Sequence, residues 1–109
     1  MGFEGFDGTN ASNQLDVSKG NTVVLFYAPW CPHCKTFKPI WDKLTAKHKG
    51  DPKVNVKEVN CETNPKEGEK HGVQGFPTVM LFKDGKKVAQ HNGDRSEESV
   101  ENFIVSNAK

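Results

Sequence analysis

The stretch Val23-Val24-Leu25-Phe26-Tyr27-Ala28-Pro29-Trp30-Cys31-Pro32-His33-Cys34-Lys35 decides the reading of this chain. It opens on an unbroken run of β-branched, aliphatic and aromatic residues, Val23 to Tyr27. Such a run suits a strand buried on both faces in the middle of a sheet, where neither side needs polar residues for solvent. Ala28-Pro29 stops it, and from Cys31 the apolar period changes. Phe37, Ile40, Trp41 and Leu44 fall at i, i+3, i+4 and i+7, one face of an amphipathic helix with lysines between them. Pro39 lies inside that pattern and should kink the helix, since it has no amide hydrogen and its ring crowds the preceding turn. Gly50-Asp51-Pro52 ends the element.

Further along, Val54, Val56 and Val59 mark a second strand. Asn64-Pro65 reads as a helix start, a capping side chain followed by proline at the first helical position. Lys66 to His71 holds no apolar residue, so any helix there must be short and mostly solvated. Thr78 to Phe82, Asp84-Gly85 and Lys87 to His91 read as a β-hairpin with Asp84-Gly85 as its turn. A last helix is capped near Ser96 and buries Val100, Phe103 and Ile104, with Glu97 and Glu98 at the positive end of its dipole. Residues 1–21 form a polar N-terminal segment with a weak strand or turn near Phe3 to Phe6, and Met1 and Gly2 are readable as vector-derived. The order strand, helix, strand, short helix, hairpin, helix makes residues 22–109 one α/β domain.

The totals exclude several classes. The chain has 109 residues, room for one core and not for a second folded unit. A net charge of +1 with no basic stripe argues against nucleic-acid binding. No apolar run approaches the ~20 residues of a membrane helix. No signal peptide is visible at the N-terminus and no retention signal at the C-terminus, so the ends do not identify a compartment. Asn10-Ala11-Ser12 fits the glycosylation sequon, a match short enough to arise often by chance. The cysteine count of 3 is odd, which argues against a disulfide-stapled mini-protein.

Two of those cysteines carry chemistry. A Cys-x-x-Cys pair opening a helix after a buried strand sets its first thiol, Cys31, where unpaired amide hydrogens and the helix dipole favour thiolate. Pro32 is suited to open the helix. Cys34, one turn inside, should be the less exposed thiol and would resolve a mixed disulfide formed on Cys31. His33 adds a donor beside the nucleophile, and a charge when protonated. The alternative is half a zinc site, but Cys61 with His48 or His71 shows no recognisable finger spacing. No metal or other cofactor is called for. Cys61 itself reads as a buried core thiol, with a regulatory thiol as the other reading.

Phe26 to Lys35 resembles the active-site segment of protein disulfide isomerase catalytic domains. Gly75-Phe76-Pro77-Thr78 resembles their cis-proline loop, and Asn92-Gly93-Asp94-Arg95 their Gly-x-Arg segment before the last helix. The resemblance spans about Val23 to Ile104, with the three motifs in the right order. It implies a thioredoxin fold, a central mixed β-sheet flanked by helices. It also implies that Pro77 is cis and faces the dithiol, with the backbone of Phe76 to Thr78 pairing to an extended substrate. Trp30 and Pro32 would border the substrate groove, and Arg95 would approach the site and ease deprotonation of Cys34. By the same resemblance the compartment would be the endoplasmic reticulum lumen or another secretory one.

Two positions depart from that family. Pro32-His33 is the pair typical of the strongly oxidising bacterial DsbA family, whereas Gly-His is usual in the isomerases. No large insertion of the DsbA kind separates Cys31 from Pro77, so the scaffold resembles an isomerase and the dipeptide biases it toward disulfide donation. Leu25 stands where related domains place a buried Glu or Asp that carries the proton of the second thiol. Glu58, on the next strand, is a candidate replacement serving Cys34; a glutamate facing solvent from a strand is the other reading. The leading function is therefore a thiol-disulfide oxidoreductase that forms or isomerises disulfides in client proteins, working with a redox partner. The alternatives are a thioredoxin-like reductase and a substrate-binding or chaperone module of a larger protein. Intact Cys31 and Cys34 count against the last.

Overall fold

The Val23–Tyr27 run forms the inside of a four-stranded sheet. The computed structural model describes Val17 and residues 20–107, so the polar start of the chain, with Phe3 to Phe6 and the Asn10 sequon, lies outside the described residues. Strand β1, Asn21–Tyr27, is buried at every position up to Phe26. It pairs in parallel with β2, Asn55–Asn60, and antiparallel with β3, Thr78–Lys83. β3 pairs antiparallel with β4, Lys86–Gln90, giving the spatial order β2-β1-β3-β4. A parallel pair cannot be joined by a tight turn. Helix α1, Pro32–Lys47, supplies the crossover.

Alternation along β1 divides the core into two layers. Val23 and Leu25 meet Phe37, Trp41 and Leu44 of α1, together with Val100 and Ile104 of α3, Glu97–Asn107. Val24 and Phe26 meet Val59, Cys61, Met80 and Phe82 on the opposite face. The same period of two sends Val56 to the first layer and Val59 to the second. Burying a side chain of this size contributes roughly 1.5–3 kcal/mol. Phe37, Trp41 and Leu44 therefore hold α1, and the dithiol at its start, against the sheet.

Helix α2, Pro65–Lys70, is short and mostly exposed, as its lack of apolar residues requires. Its close approach to the second layer uses a glycine: a Cβ on Gly68 would lie 3.2 Å from the Cys61 sulfur. The His71 ring at its end packs at 4.8 Å from Phe82 and 5.8 Å from Phe26. Pro65 occupies the first turn as expected, but the Asn64 side chain does not cap. Its amide donates instead to the Asn60 carbonyl and the Thr63 hydroxyl, which pins the preceding turn. α1 runs through Pro39 as one helix, and Pro39 lies on its exposed side. The hairpin turn has positive φ at both Asp84 and Gly85, the type I′ geometry that Asp-Gly favours. Ser96 caps α3, its hydroxyl accepting from the Ser99 amide at 3.1 Å.

Candidate active site

Cys31 is the N-cap of α1, with extended backbone (φ −78°, ψ 122°), and Pro32 opens the helix behind it. The strand's burial fixes one side of this turn and the Phe37–Trp41 face of the helix fixes the other. Both cysteines are free thiols, and both are buried. The Cys31 sulfur donates to the Phe76 carbonyl at 3.6 Å. Burial alone would push this thiol up; donation from the Cys34 amide and thiol and the His33 amide, with the Arg95 charge, outweighs it and holds Cys31 below the ordinary range. The unpaired amides of a helix start do the same for any anion placed there.

Cys34 behaves oppositely. Burial, together with its hydrogen bond to Cys31 and the charge developing there, pushes this thiol up to about 11, against smaller opposing effects of the Ala28 amide and Arg95. The first thiol therefore ionises more readily than the second, an asymmetry that thiol–disulfide exchange can use.

The Phe76–Pro77 peptide bond is cis. That loop brings the Phe76 carbonyl to Cys31, and the Thr78 hydroxyl donates across it to the Gly75 carbonyl at 2.7 Å. Trp30 is 62% exposed and sets its ring edge-on to Phe76, centroids 6.2 Å apart. Phe76 packs against Cys31, and Trp30, Pro32 and His33 are the exposed residues that flank it in the chain. Arg95 is exposed but lines a polar cavity with Phe37, Pro77 and Thr78, and its charge is felt by both thiols.

Glu58 does not line the space around Cys34. Cys34 opens instead on a largely apolar cavity of about 320 Å³, lined also by Tyr27, Lys38 and Asp42. Lys38 spans its rim, bonded to Asp42 at 2.9 Å and to Glu58 at 3.1 Å, and sits 5.5 Å over the Tyr27 ring. Burial lowers the Lys38 ammonium, but the two carboxylates outweigh this and hold it charged. Leu25, paired in register with Glu58, packs into the α1 layer. Glu58 thus reaches the Cys34 cavity only through Lys38. The i,i+4 spacing of Lys38 and Asp42 is visible in the sequence, but their convergence with Tyr27 on Cys34 arises from how α1 crosses β1. Among the described residues no group of three or more His, Cys, Asp or Glu is placed to hold a metal ion, and no helix is long and apolar enough to cross a membrane.

Residues 6–106 match the family model described as Thioredoxin. Protein disulfide-isomerase erp38 of Neurospora crassa is 38% identical over 91 residues, covering 81% of this chain and 25% of that protein. Protein disulfide-isomerase 5-1 of Arabidopsis thaliana is 38% identical over 82 residues, covering 75% of this chain and 56% of that protein. Among solved structures, the first two thioredoxin domains of Naumovozyma dairenensis Eps1p superpose with a TM-score of 0.78 at 28% identity, over 93% of this chain and 39% of that one. The chain therefore belongs to the thioredoxin family, and within it is similar to the domains of protein disulfide isomerases. It spans only a quarter of the Neurospora protein's length. Family membership and the adjacent thiols support a general thiol–disulfide oxidoreductase role.

Proposed function

We propose that this domain donates or rearranges disulfides in client proteins, with Cys31 as nucleophile and Cys34 as resolving thiol. The observation that carries the reading is the opposite ionisation of the two thiols at one helix start beside cis-Pro77. A stabilised Cys31 thiolate favours the reduced domain, and a pair whose reduced form is stabilised is a stronger oxidant. Pro32-His33 acts in the same direction, since the His33 amide donates to the Cys31 sulfur.

In the donating cycle a client thiolate attacks Cys31 Sγ of the oxidised pair. The Cys31–Cys34 bond breaks, and Cys34 leaves with the electron pair and takes up a proton. A second client thiolate then attacks the client sulfur of the mixed disulfide, and Cys31 leaves as thiolate. The client gains a disulfide and the domain is left as a dithiol, which a redox partner must reoxidise. In isomerisation the Cys31 thiolate attacks a client disulfide and another client thiolate later displaces it; where none does, Cys34 attacks Cys31 Sγ, releases the client as a thiol and leaves the pair oxidised. The Cys34 proton must then leave through the cavity that thiol faces, which Asp42 lines directly; Glu58, bonded to Lys38 at the rim, is our candidate for its final acceptor. Trp30, Pro32 and Phe76 would border the client, with the backbone around Pro77 pairing to it. Similarity to protein disulfide isomerases favours a secretory compartment such as the endoplasmic reticulum lumen.

Trapping tests the reading. Cys34→Ala incubated with a scrambled-disulfide protein should accumulate a mixed disulfide on Cys31, visible by mass. Cys31→Ala should trap none, and an absence of adduct with Cys34→Ala would overturn the proposal.

A further inference from the structure

Between the cis-proline loop, the start of α1 and the loop leading into α3 lies a second cavity of about 230 Å³. Its walls are mostly polar: Thr78, Gln90, His91, Asn92 and Arg95 line it, along with Phe37 and Pro77. Arg95 and His91 are the titratable residues in this lining, and both carry positive charge when charged at all. No aspartate or glutamate lines it. Among the described residues no ion pair or hydrogen bond engages the Arg95 side chain. Asp94 accepts from the Ser96 amide at 2.9 Å, and Glu97 and Glu98 are exposed on the first turn of α3. The His91 ring is fixed by its bond with the Asp94 carbonyl at 2.7 Å and by its packing on Phe103 at 5.2 Å.

An unpaired guanidinium over a polar cavity is a site for a planar anion, since its fork of N–H donors matches a carboxylate. A volume on the order of seven waters accommodates such a group. The cavity abuts Pro77 and Thr78, so whatever fills it would lie within a residue or two of a sulfur reacting at Cys31.

We propose that this cavity is an anion subsite that takes a carboxylate carried by the substrate next to its reacting cysteine. The inference rests on the exchange activity proposed above and names the chemistry of its substrate. The carboxylate has two sources, an acidic side chain of a polypeptide or glutathione. Two disulfide peptides identical except for Glu or Gln beside the reacting cysteine separate the subsite from the activity. Each rate is divided by the same peptide's rate with a small free thiol, which removes the carboxylate's effect on the cysteine itself. Wild type should favour the Glu peptide about threefold at low salt, the range of a partly exposed ion pair, and less in 0.5 M salt. Arg95→Gln should slow both peptides, because the thiols lose a positive neighbour, and bring the ratio to one. Glutathione disulfide against uncharged hydroxyethyl disulfide gives the second arm. A preference in one arm only identifies the source. Ratios of one in both arms with wild type, or an unchanged preference in Arg95→Gln, overturn the subsite while leaving the activity standing. No reaction with any disulfide overturns both.

Discussion

Replacing His48 with Gln should cost the domain stability at pH 6 and much less at pH 9. His48 caps the end of α1 and is 9% exposed, with its Nε2 bonded to Glu101 of α3 and its Nδ1 3.3 Å from Asp51. Burial disfavours its charge, but Glu101 and Asp51 outweigh that and raise it above its ordinary 6.5. Glu101 is itself raised by burial, yet Lys47 and His48 hold it below its ordinary 4.5. A raised histidine stabilises fully below 6.5 and loses that contribution as pH climbs through its folded value. A depressed carboxylate stabilises above 4.5 and loses it as pH falls through its folded value. The clamp is therefore strongest between those limits. One charge-assisted hydrogen bond between partners this buried is worth about 1.5–3 kcal/mol. Losing about 2 kcal/mol from a domain of this size lowers Tm by about 10 °C. Urea unfolding of wild type and His48→Gln at pH 5.5, 7 and 9 measures it. A stability difference that is flat across that range, or that grows toward pH 9, refutes the reasoning.

In a Cys31→Ser background, burial, the largest cause of the raised Cys34 thiol, is retained, so alkylation of Cys34 should still be rising with pH beyond pH 9; a plateau by pH 9 would show an ordinary thiol. Glu58→Gln should slow resolution of a preformed Cys31 mixed disulfide by about a hundredfold, the low end of general acid–base contributions, whereas an unchanged rate removes Glu58 from the mechanism. Gly68→Ala gains about 1 kcal/mol of helix propensity, but its methyl meets Cys61 Sγ at 3.2 Å. The net effect in denaturant should be a loss of roughly 1 kcal/mol, and that loss should vanish in a Cys61→Ala background.

Much of this molecule was legible because its signals are local. The Val23–Tyr27 run, the Phe37–Leu44 stripe and Asp84-Gly85 each state a backbone preference that the packing then uses. Cys31 at the helix start follows from the switch of period after Pro29, and Pro77 from the motif around it. What escaped was set by partners distant in sequence. Asn64 looks like a cap until the Asn60 carbonyl competes for its side chain. For Glu58 the sequence leaves two readings open, service to Cys34 or a solvent-facing strand position. Register places it beside Leu25, and Lys38 of α1 intervenes. The His48–Glu101 clamp joins two helices across 53 positions, a separation at which no spacing rule operates.

The central claim is that the Cys31–Cys34 pair is a redox couple biased toward donation by its stabilised Cys31 thiolate. Equilibrating the domain in glutathione buffers, quenching with acid and counting free thiols by mass tests it directly, with Cys61→Ala removing the third thiol. The account predicts a single two-electron transition with a potential between about −180 and −120 mV, the range of disulfide-donating pairs. A potential near about −270 mV, that of a reductant, or no Cys31–Cys34 disulfide at any poise, would contradict it.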